Sequence, residues 1–179
     1  MSDQIQIRQL HSIDDPAIIA ALAEVLVDCV DGGASVSFMS PFSAERAQAF
    51  WRNLSAGVAT GERILLVAQD ADSTILGTVQ VVLSQPENQP HRADVAKLLV
   101  HRKARRSGTG EALMAAAERA AAQAGKTLLV LDTATGGDAE RLYRRRDWQV
   151  SGTIPDYAMW PDGRKCATTI FYKYIWGKK

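Results

Sequence analysis

The stretch VAKLLVHRKARRSGTGEAL, Val95–Leu113, decides the architecture. It opens on an apolar run, Val95, Leu98, Leu99 and Val100, free of glycine and proline, which predicts a strand over Ala93–Val100. A basic turn, His101–Arg106, leads into Arg105-Arg106-Ser107-Gly108-Thr109-Gly110, and a helical pattern follows at once. Strand, basic glycine loop and helix in that order suit the holding of a phosphate. Glycine lets the backbone approach an anion closely. A helix start leaves N–H groups unpaired and carries partial positive charge. Arg102, Lys103, Arg105 and Arg106 add full charges.

Composition narrows the ligand class. With 179 residues, one domain over 1–179 is expected, long enough to bury a full core. The apolar fraction of 46% is that of an ordinary globular protein. A net charge of +1 gives no global attraction to nucleic acid or membrane. The basic residues cluster instead at 102–106 and 141–146, which fits a local site for a small polyanion. Cys29 and Cys166 lack metal spacing and are expected as buried thiols, with a disulfide left open. His11, His91 and His101 share no spacing, so no metal site is expected. Ser2–Arg8 is polar and no run reaches the ~20 apolar residues of a membrane span, so a cytoplasmic protein is expected.

Outward from the central stretch, the pattern predicts an α/β chain. Ile5–Leu10 alternates as a strand. Asp15-Pro16 caps a helix that Gly32 stops, with Ile18, Leu22, Val25, Leu26 and Cys29 inward. Gly32–Met39 is a small-residue loop, either a plain connection or a pocket wall. Ser43 caps a second helix carrying Phe50, Trp51, Leu54 and Val58, ended by Gly61. Ile64–Gln69 and Ile75–Leu83 form a hairpin, with a bulge expected at Gly77. Helix 111–124 turns Leu113, Ala117, Ala120, Ala121 and Ala124 inward, and Gly125 caps it. Leu128–Leu131 are consecutive apolars, which predicts a strand at Thr127–Thr133 buried on both faces and paired in parallel. With the strand before it this makes a right-handed βαβ unit. Asp138 caps a short helix to Arg146. Gln149–Ile154 and Thr168–Tyr174 close the chain as antiparallel strands, and a Pro155–Arg164 loop carries Tyr157 and Trp160.

The glycine loop matches neither of two familiar phosphate motifs. Gly-x-x-x-x-Gly-Lys-Ser/Thr is absent. Gly108-Thr-Gly110 lacks the third glycine of a dinucleotide fingerprint, Leu113 standing there. What remains is Arg105-x-x-Gly108-x-Gly110, which resembles the pyrophosphate loop of the GNAT superfamily, the acyl-CoA-dependent N-acetyltransferases. The element order resembles that superfamily over nearly the whole chain. So do Leu131-Asp132-Thr133, Ala139-Glu140-Arg141-Leu142-Tyr143 and Trp148. Gly33-Ala-Ser-Val-Ser-Phe-Met39, Ile154-Pro-Asp-Tyr-Ala158 and Pro161-Asp-Gly163 resemble its tabtoxin-resistance branch, which acetylates an amine of a toxic amino-acid analogue. Two departures are Asp147, where many members carry glycine, and Ser107, where many carry a basic residue. The resemblance implies a GNAT fold: a mixed, mostly antiparallel sheet with one splayed parallel pair, flanked by helices.

It also implies a reaction, acetyl transfer from acetyl-CoA to a primary amine of a small amino compound by direct attack. Its cofactor side would comprise the strand Leu98, Leu99 and Val100, the loop Arg105, Arg106, Ser107, Gly108, Thr109, Gly110 and Glu111, then Ala139 and Tyr143. Its acceptor side would comprise Gly33, Ser35, Phe38, Asp132, Thr133 and Tyr157. A backbone N–H near Val100 is expected to stabilise the thioester oxyanion. Asp132 either takes the amine proton or caps the strand end. Tyr143 either protonates the leaving thiolate, the role the resemblance gives it, or packs in the core near Trp148. Arg141, Arg144, Arg145 and Arg146 either form a solvated face or meet the CoA 3′-phosphate. The expected partner is a small-molecule amine, with a monomer or homodimer as the oligomeric state. A protein lysine or N-terminus as acceptor, or a CoA sensor without turnover, stands as an alternative.

Overall fold

The computed structural model describes residues 5–175; Trp176 and Ser2–Gln4 lie outside the described residues. Their elements are β1 Gln6–Leu10, α1 Pro16–Asp31, α2 Ala44–Ala59, β2 Arg63–Gln69, β3 Ile75–Val82, β4 Arg92–Val100, α3 Thr109–Gln123, β5 Leu128–Ala134, α4 Asp138–Arg145, β6 Gln149–Met159 and β7 Lys165–Tyr174. A short 3-10 turn, Arg102–Ala104, joins β4 to α3. The strands form one sheet in the order β1-β2-β3-β4-β5-β7-β6. Among the described residues, β4–β5 is the parallel pair and the others are antiparallel. This is the GNAT fold. No helix among the described residues is long and apolar enough to cross a membrane.

The helix starts follow from their caps. Asp15 accepts from the Ala17 N–H, with Pro16 in the first turn, and Ser43 accepts from the Arg46 N–H. The cap of α4 differs from expectation: Gly137 holds the cap position and Asp138 is the first helical residue. The orphan N–H of Gly136 is instead taken by the Glu140 carboxylate, which reaches back from within the helix.

Two cores sandwich the sheet. On one face α1 and α2 bury Leu22, Val25, Leu26 and Trp51 against Leu65, Val67 and Leu99. On the other, α3 and α4 bury Leu113, Met114, Ala117, Leu142 and Tyr143 against Leu66, Val79, Val95, Leu129, Leu131 and Phe171. Ala124, expected inward, is exposed at the C-cap, and Met114 fills the core instead. Gly77 permits the close approach of β3, β4 and α3: a Cβ there would sit 2.8 Å from the Leu99 carbonyl oxygen and 3.1 Å from Leu113. The bulge expected at that glycine lies beside it, where Ile75 to Gly77 on β3 oppose Gln69 and Ala68 on β2.

A second irregularity, absent from the sequence reading, positions the site. Between Thr78 and Gln80 of β3, β4 advances from Leu99 to Ala96, one residue more than its partner. The extra residue is accommodated at Lys97, whose φ is +51°. The bulge resets the alternation of the strand. Val95 faces α3, yet Leu99, four residues on, faces α1 and α2. Strict alternation would have put both on the same face.

Candidate active site

Beyond the bulge, β4 and β5 part. Their parallel pairing covers Arg92–Leu128, Ala93–Leu129 and Asp94–Val130 only. From Val95 and Leu131 onward the strands splay, leaving backbone groups of β4 without a ladder partner. The direction of these groups follows from the neighbouring bonds. His101 N–H donates to the Leu76 carbonyl at 2.8 Å, on the β3 side. Successive N–H groups of a strand alternate in direction, so Val100 N–H points into the gap. Leu99 is turned away: its side chain is buried in the α1–α2 core and its carbonyl lies against Gly77. Leu99 thus turns its side chain and carbonyl away from the gap, and Leu98 and Val100 border it.

The glycine loop closes one end of it. Arg106 and Gly108 are left-handed, at φ +62° and +83°. The first turn-closing bond of α3 runs from Ala112 N–H to the Gly108 carbonyl at 2.9 Å. Among the described residues, the N–H groups of Arg106, Ser107, Gly108, Thr109, Gly110 and Glu111 find no acceptor within the chain. Such a row of free donors at a helix start is an anion cradle. Ser107 and Thr109 brace it with their side chains: Ser107 Oγ donates to the Ala104 carbonyl at 2.7 Å and lies 2.8 Å from Thr109 Oγ1. Both hydroxyls are thus spent on the loop itself.

The cations around the loop are differently employed. Arg102 is tied to Asp28 of α1 through both N–H and Nε at 2.8 Å. Arg105 Nε donates to the Val100 carbonyl at 3.1 Å, so Arg105 pins the strand end, and its guanidinium also acts on the buried thiol of Cys29. Lys103 and Arg106 have no ion-pair partner among the described residues. On α4, Arg144 pairs with Glu140 at 2.6 Å and Arg146 with Glu118 at 2.8 Å, and Arg141 pairs with Asp138. Arg145 is the cation of that helix left unpaired among the described residues.

Tyr143 lies in α4, in the core on the α3 side of the sheet. It is 5% exposed and packed between Trp148 and Phe171, with ring centroids 6.0 and 5.8 Å away. Its hydroxyl makes no hydrogen bond among the described residues. Burial first, and the charge of Asp132 second, push the phenol well above its ordinary range. The two expected roles are thus compatible: a core aromatic whose proton is firmly held. Ala139, half-buried in the first turn of the same helix, packs on the same core.

Asp132 lies past the last β4–β5 pair and is exposed. Its carboxylate makes no hydrogen bond or ion pair among the described residues, so it does not cap the strand end. Its pairing with Ile170, next to the Leu131–Phe171 pair, puts it on the α1–α2 side. Thr133 alternates to the other side. The alternation corrects the reading of this strand as buried on both faces: Leu129 and Leu131 are buried, Leu128 and Val130 only half so.

The loop between α1 and α2 carries Gly33, Ser35 and Phe38, expected on the acceptor side. Gly33, at φ +82°, starts it with open space around its Cα. Ser35 Oγ donates to the Met159 carbonyl at 2.8 Å and Ser40 N–H donates to the Pro161 carbonyl at 3.0 Å. These bonds tie the loop to the end of the β6–β7 hairpin, so Ser35 is a strut. Phe38 stacks against Phe42 and Phe50, at 4.4 and 5.3 Å. Tyr157, expected in a loop, lies in β6, because that strand runs to Met159 past a bulge between Ile154 and Ala158; its ring is 59% exposed. A surface depression lined by Gly33, Ser40, Trp160 and Pro161 borders this rim, outside the gap.

Lys97 is the residue that sequence reasoning missed. The bulge swings it to the α1–α2 side, where Nζ donates to Ser37 Oγ at 2.9 Å and lies 6.0 and 5.8 Å from the Phe38 and Phe50 ring centroids. The available signal was one lysine interrupting an apolar strand.

Comparison with known proteins agrees with this geometry. Residues 61–150 match the acetyltransferase (GNAT) domain family, and the chain belongs to that family. It resembles a solved structure provisionally assigned as a phosphinothricin N-acetyltransferase, with 15% identity, TM-score 0.79, and coverage of 97% of this chain and 100% of the other. It also resembles YncA, described as an acetyltransferase, from Salmonella typhimurium, solved with acetyl-CoA, at 17% identity, TM-score 0.77, and 98% and 96% coverage. A ribosomal-protein-alanine N-acetyltransferase from Brucella melitensis matches at 20% identity, TM-score 0.76, and 94% and 99% coverage.

Proposed function

We propose that this single-domain acetyltransferase moves the acetyl group of acetyl-CoA to a primary amine of a small amino compound, within one ternary complex. The observation that carries the reading is the splayed β4–β5 pair, with free loop N–H groups at the helix start that follows β4, Asp132 beyond the last β4–β5 pair, and Tyr143 near enough for the Asp132 charge to act on it. The cradle Arg106–Glu111 holds the CoA diphosphate, with Arg105 and Arg106 adding charge. The pantetheine arm lies along Leu98 and Val100, with Ala139 opposite. Val100 N–H donates to the thioester oxygen as it gains charge, a contact worth roughly 3 kcal/mol in the barrier. Asp132 takes the proton of the incoming ammonium, directly or through water. The amine attacks the carbonyl carbon, the C–S bond breaks as Tyr143 gives its proton to the departing thiolate, and the remaining extra proton on the nitrogen passes through water to the Tyr143 phenolate, leaving a neutral amide and free CoA thiol. At neutral pH the phenol carries the proton this step needs, although its burial makes the transfer harder than for a free tyrosine.

The tied loop favours a small acceptor. The bonds Ser35–Met159 and Ser40–Pro161, which tie the loop between α1 and α2 to the β6–β7 hairpin, support an enclosed acceptor site over an open peptide groove. The likeness to a phosphinothricin N-acetyltransferase supports the amino-acid-analogue branch, with detoxification as the role. The likeness to a ribosomal-protein-alanine acetyltransferase supports a protein N-terminus as the second reading. Free-thiol release from acetyl-CoA, measured with amino acids, phosphinothricin, amino sugars and peptides, separates them. Saturable turnover with small amines supports the proposal. Turnover with peptides alone supports the second reading, and CoA binding without turnover leaves a sensor.

A further inference from the structure

Lys97 is a half-buried cation with no carboxylate in contact. Among the described residues its polar partner is the Ser37 hydroxyl, a neutral group. Both residues hold left-handed backbone without being glycine, Ser37 at φ +80° and Lys97 at φ +51°. Such strain is retained where the surrounding structure over-determines it, and it collects at ligand sites. Beside Lys97 on the same face, opposite Ala96, Gln80 is 1% exposed, and its side-chain nitrogen has no hydrogen-bond partner among the described residues. Asp132 supplies the opposite charge on that face, also without a contact partner.

Resting on the acetyltransferase reading, we infer that Lys97 is the specificity residue of the acceptor site: it binds an anionic group of the acceptor, a carboxylate, while Asp132 meets the amine. A cation and an anion on one face, each without an ion-pair partner among the described residues, complement a zwitterion. A simple alkylamine would leave the Lys97 charge with only the neutral Ser37 hydroxyl and the Phe38 and Phe50 rings in contact. Burial depresses the Lys97 ammonium below the ordinary lysine range, against the pull of Asp132. A bound carboxylate offsets that burial cost, so an anionic ligand is bound more tightly than a neutral isostere.

The test compares amino acids with their carboxamides as acceptors, using wild type, Lys97→Met and Lys97→Arg. Wild type should prefer the carboxylate member by at least tenfold in kcat/KM, expressed mainly in KM. Lys97→Met should bring the ratio to about one, and Lys97→Arg should restore part of it. An unchanged ratio in Lys97→Met, or no preference in wild type, overturns the assignment. A second measurement does not need turnover. Lys97 is labelled with acetic anhydride in the presence of desulfo-CoA, and its peptide is quantified by mass spectrometry. Protection by the amino acids and not by their amides supports the inference even if no acceptor is acetylated, an outcome that would sink only the transfer reading. Absence of protection by either series overturns the inference.

Discussion

Gly108→Val isolates the cradle from the rest of the protein. Gly108 sits at φ +83° and ψ −1°, and a Cβ built on it meets nothing within 4 Å. The cost of a side chain there is therefore conformational and not steric. A β-branched residue held left-handed costs roughly 1–2 kcal/mol, and relieving it rotates the peptides on either side. Those peptides carry the N–H groups proposed to hold the diphosphate. Misaiming two such bonds, each about 1.5–3 kcal/mol when the acceptor is charged, removes on the order of 3 kcal/mol or more of binding. That corresponds to a Kd for CoA raised about 100-fold. Gly108→Asn is the control, because asparagine tolerates this conformation, and it should stay within about fivefold of wild type. Calorimetric titration with CoA reads the affinity, and a thermal melt reports any loss of fold. Wild-type affinity in a folded Gly108→Val protein would show that the diphosphate is held elsewhere.

Other outcomes follow from the same geometry. Tyr143→Phe should lower kcat about 100-fold, within the range of a general acid, with CoA affinity by calorimetry unchanged within twofold; a wild-type rate would remove the acid role. Because the folded phenol titrates above the unfolded value of about 10, the unfolded chain loses its proton first as pH rises. Wild type should therefore lose stability above about pH 10 more steeply than Tyr143→Phe in thermal melts, and parallel curves would contradict the burial argument. Glu118 is opposed by burial but held below the ordinary glutamate range by Arg146, Lys173 and Trp148. Its stabilisation should be present above about pH 4.3 and fade as pH falls through the folded value. Glu118→Gln should cost about 3 kcal/mol in urea unfolding at neutral pH. Asp147→Gly should stabilise by up to about 1 kcal/mol, since Asp147 sits at φ +60°; a loss of stability would argue that its side chain has a separate role.

Local signals in the sequence were strong where chemistry forces geometry. Asp15-Pro16 and Ser43 began their helices where capping requires it, and the βαβ unit followed from an apolar run, a glycine loop and an alanine-faced helix. The bulge at Lys97 was hidden because Leu98-Leu99-Val100 is apolar in either phase, so the change of face leaves no mark in the pattern. The same ambiguity made Leu128–Leu131 look buried on both sides, although the splay leaves one side half-open. Pro155 and the Pro-Asp-Gly turn suggested a long loop, but the bulge at Ile154–Ala158 absorbs Pro155 within β6 and brings Tyr157 into the strand. Residue types made Asp132, Tyr143 and the glycine loop candidates. The bonds of Ser35 and Arg105 and the face of Thr133 depend on contacts and register that only the folded chain displays.

The structure of the protein crystallised with acetyl-CoA bears on the central claim most directly. The account predicts diphosphate oxygens within about 3.2 Å of the N–H groups of Arg106–Glu111 and the thioester oxygen at the same range from Val100 N–H. A thioester lying outside the β4–β5 opening, or a diphosphate bound away from the loop, would contradict it.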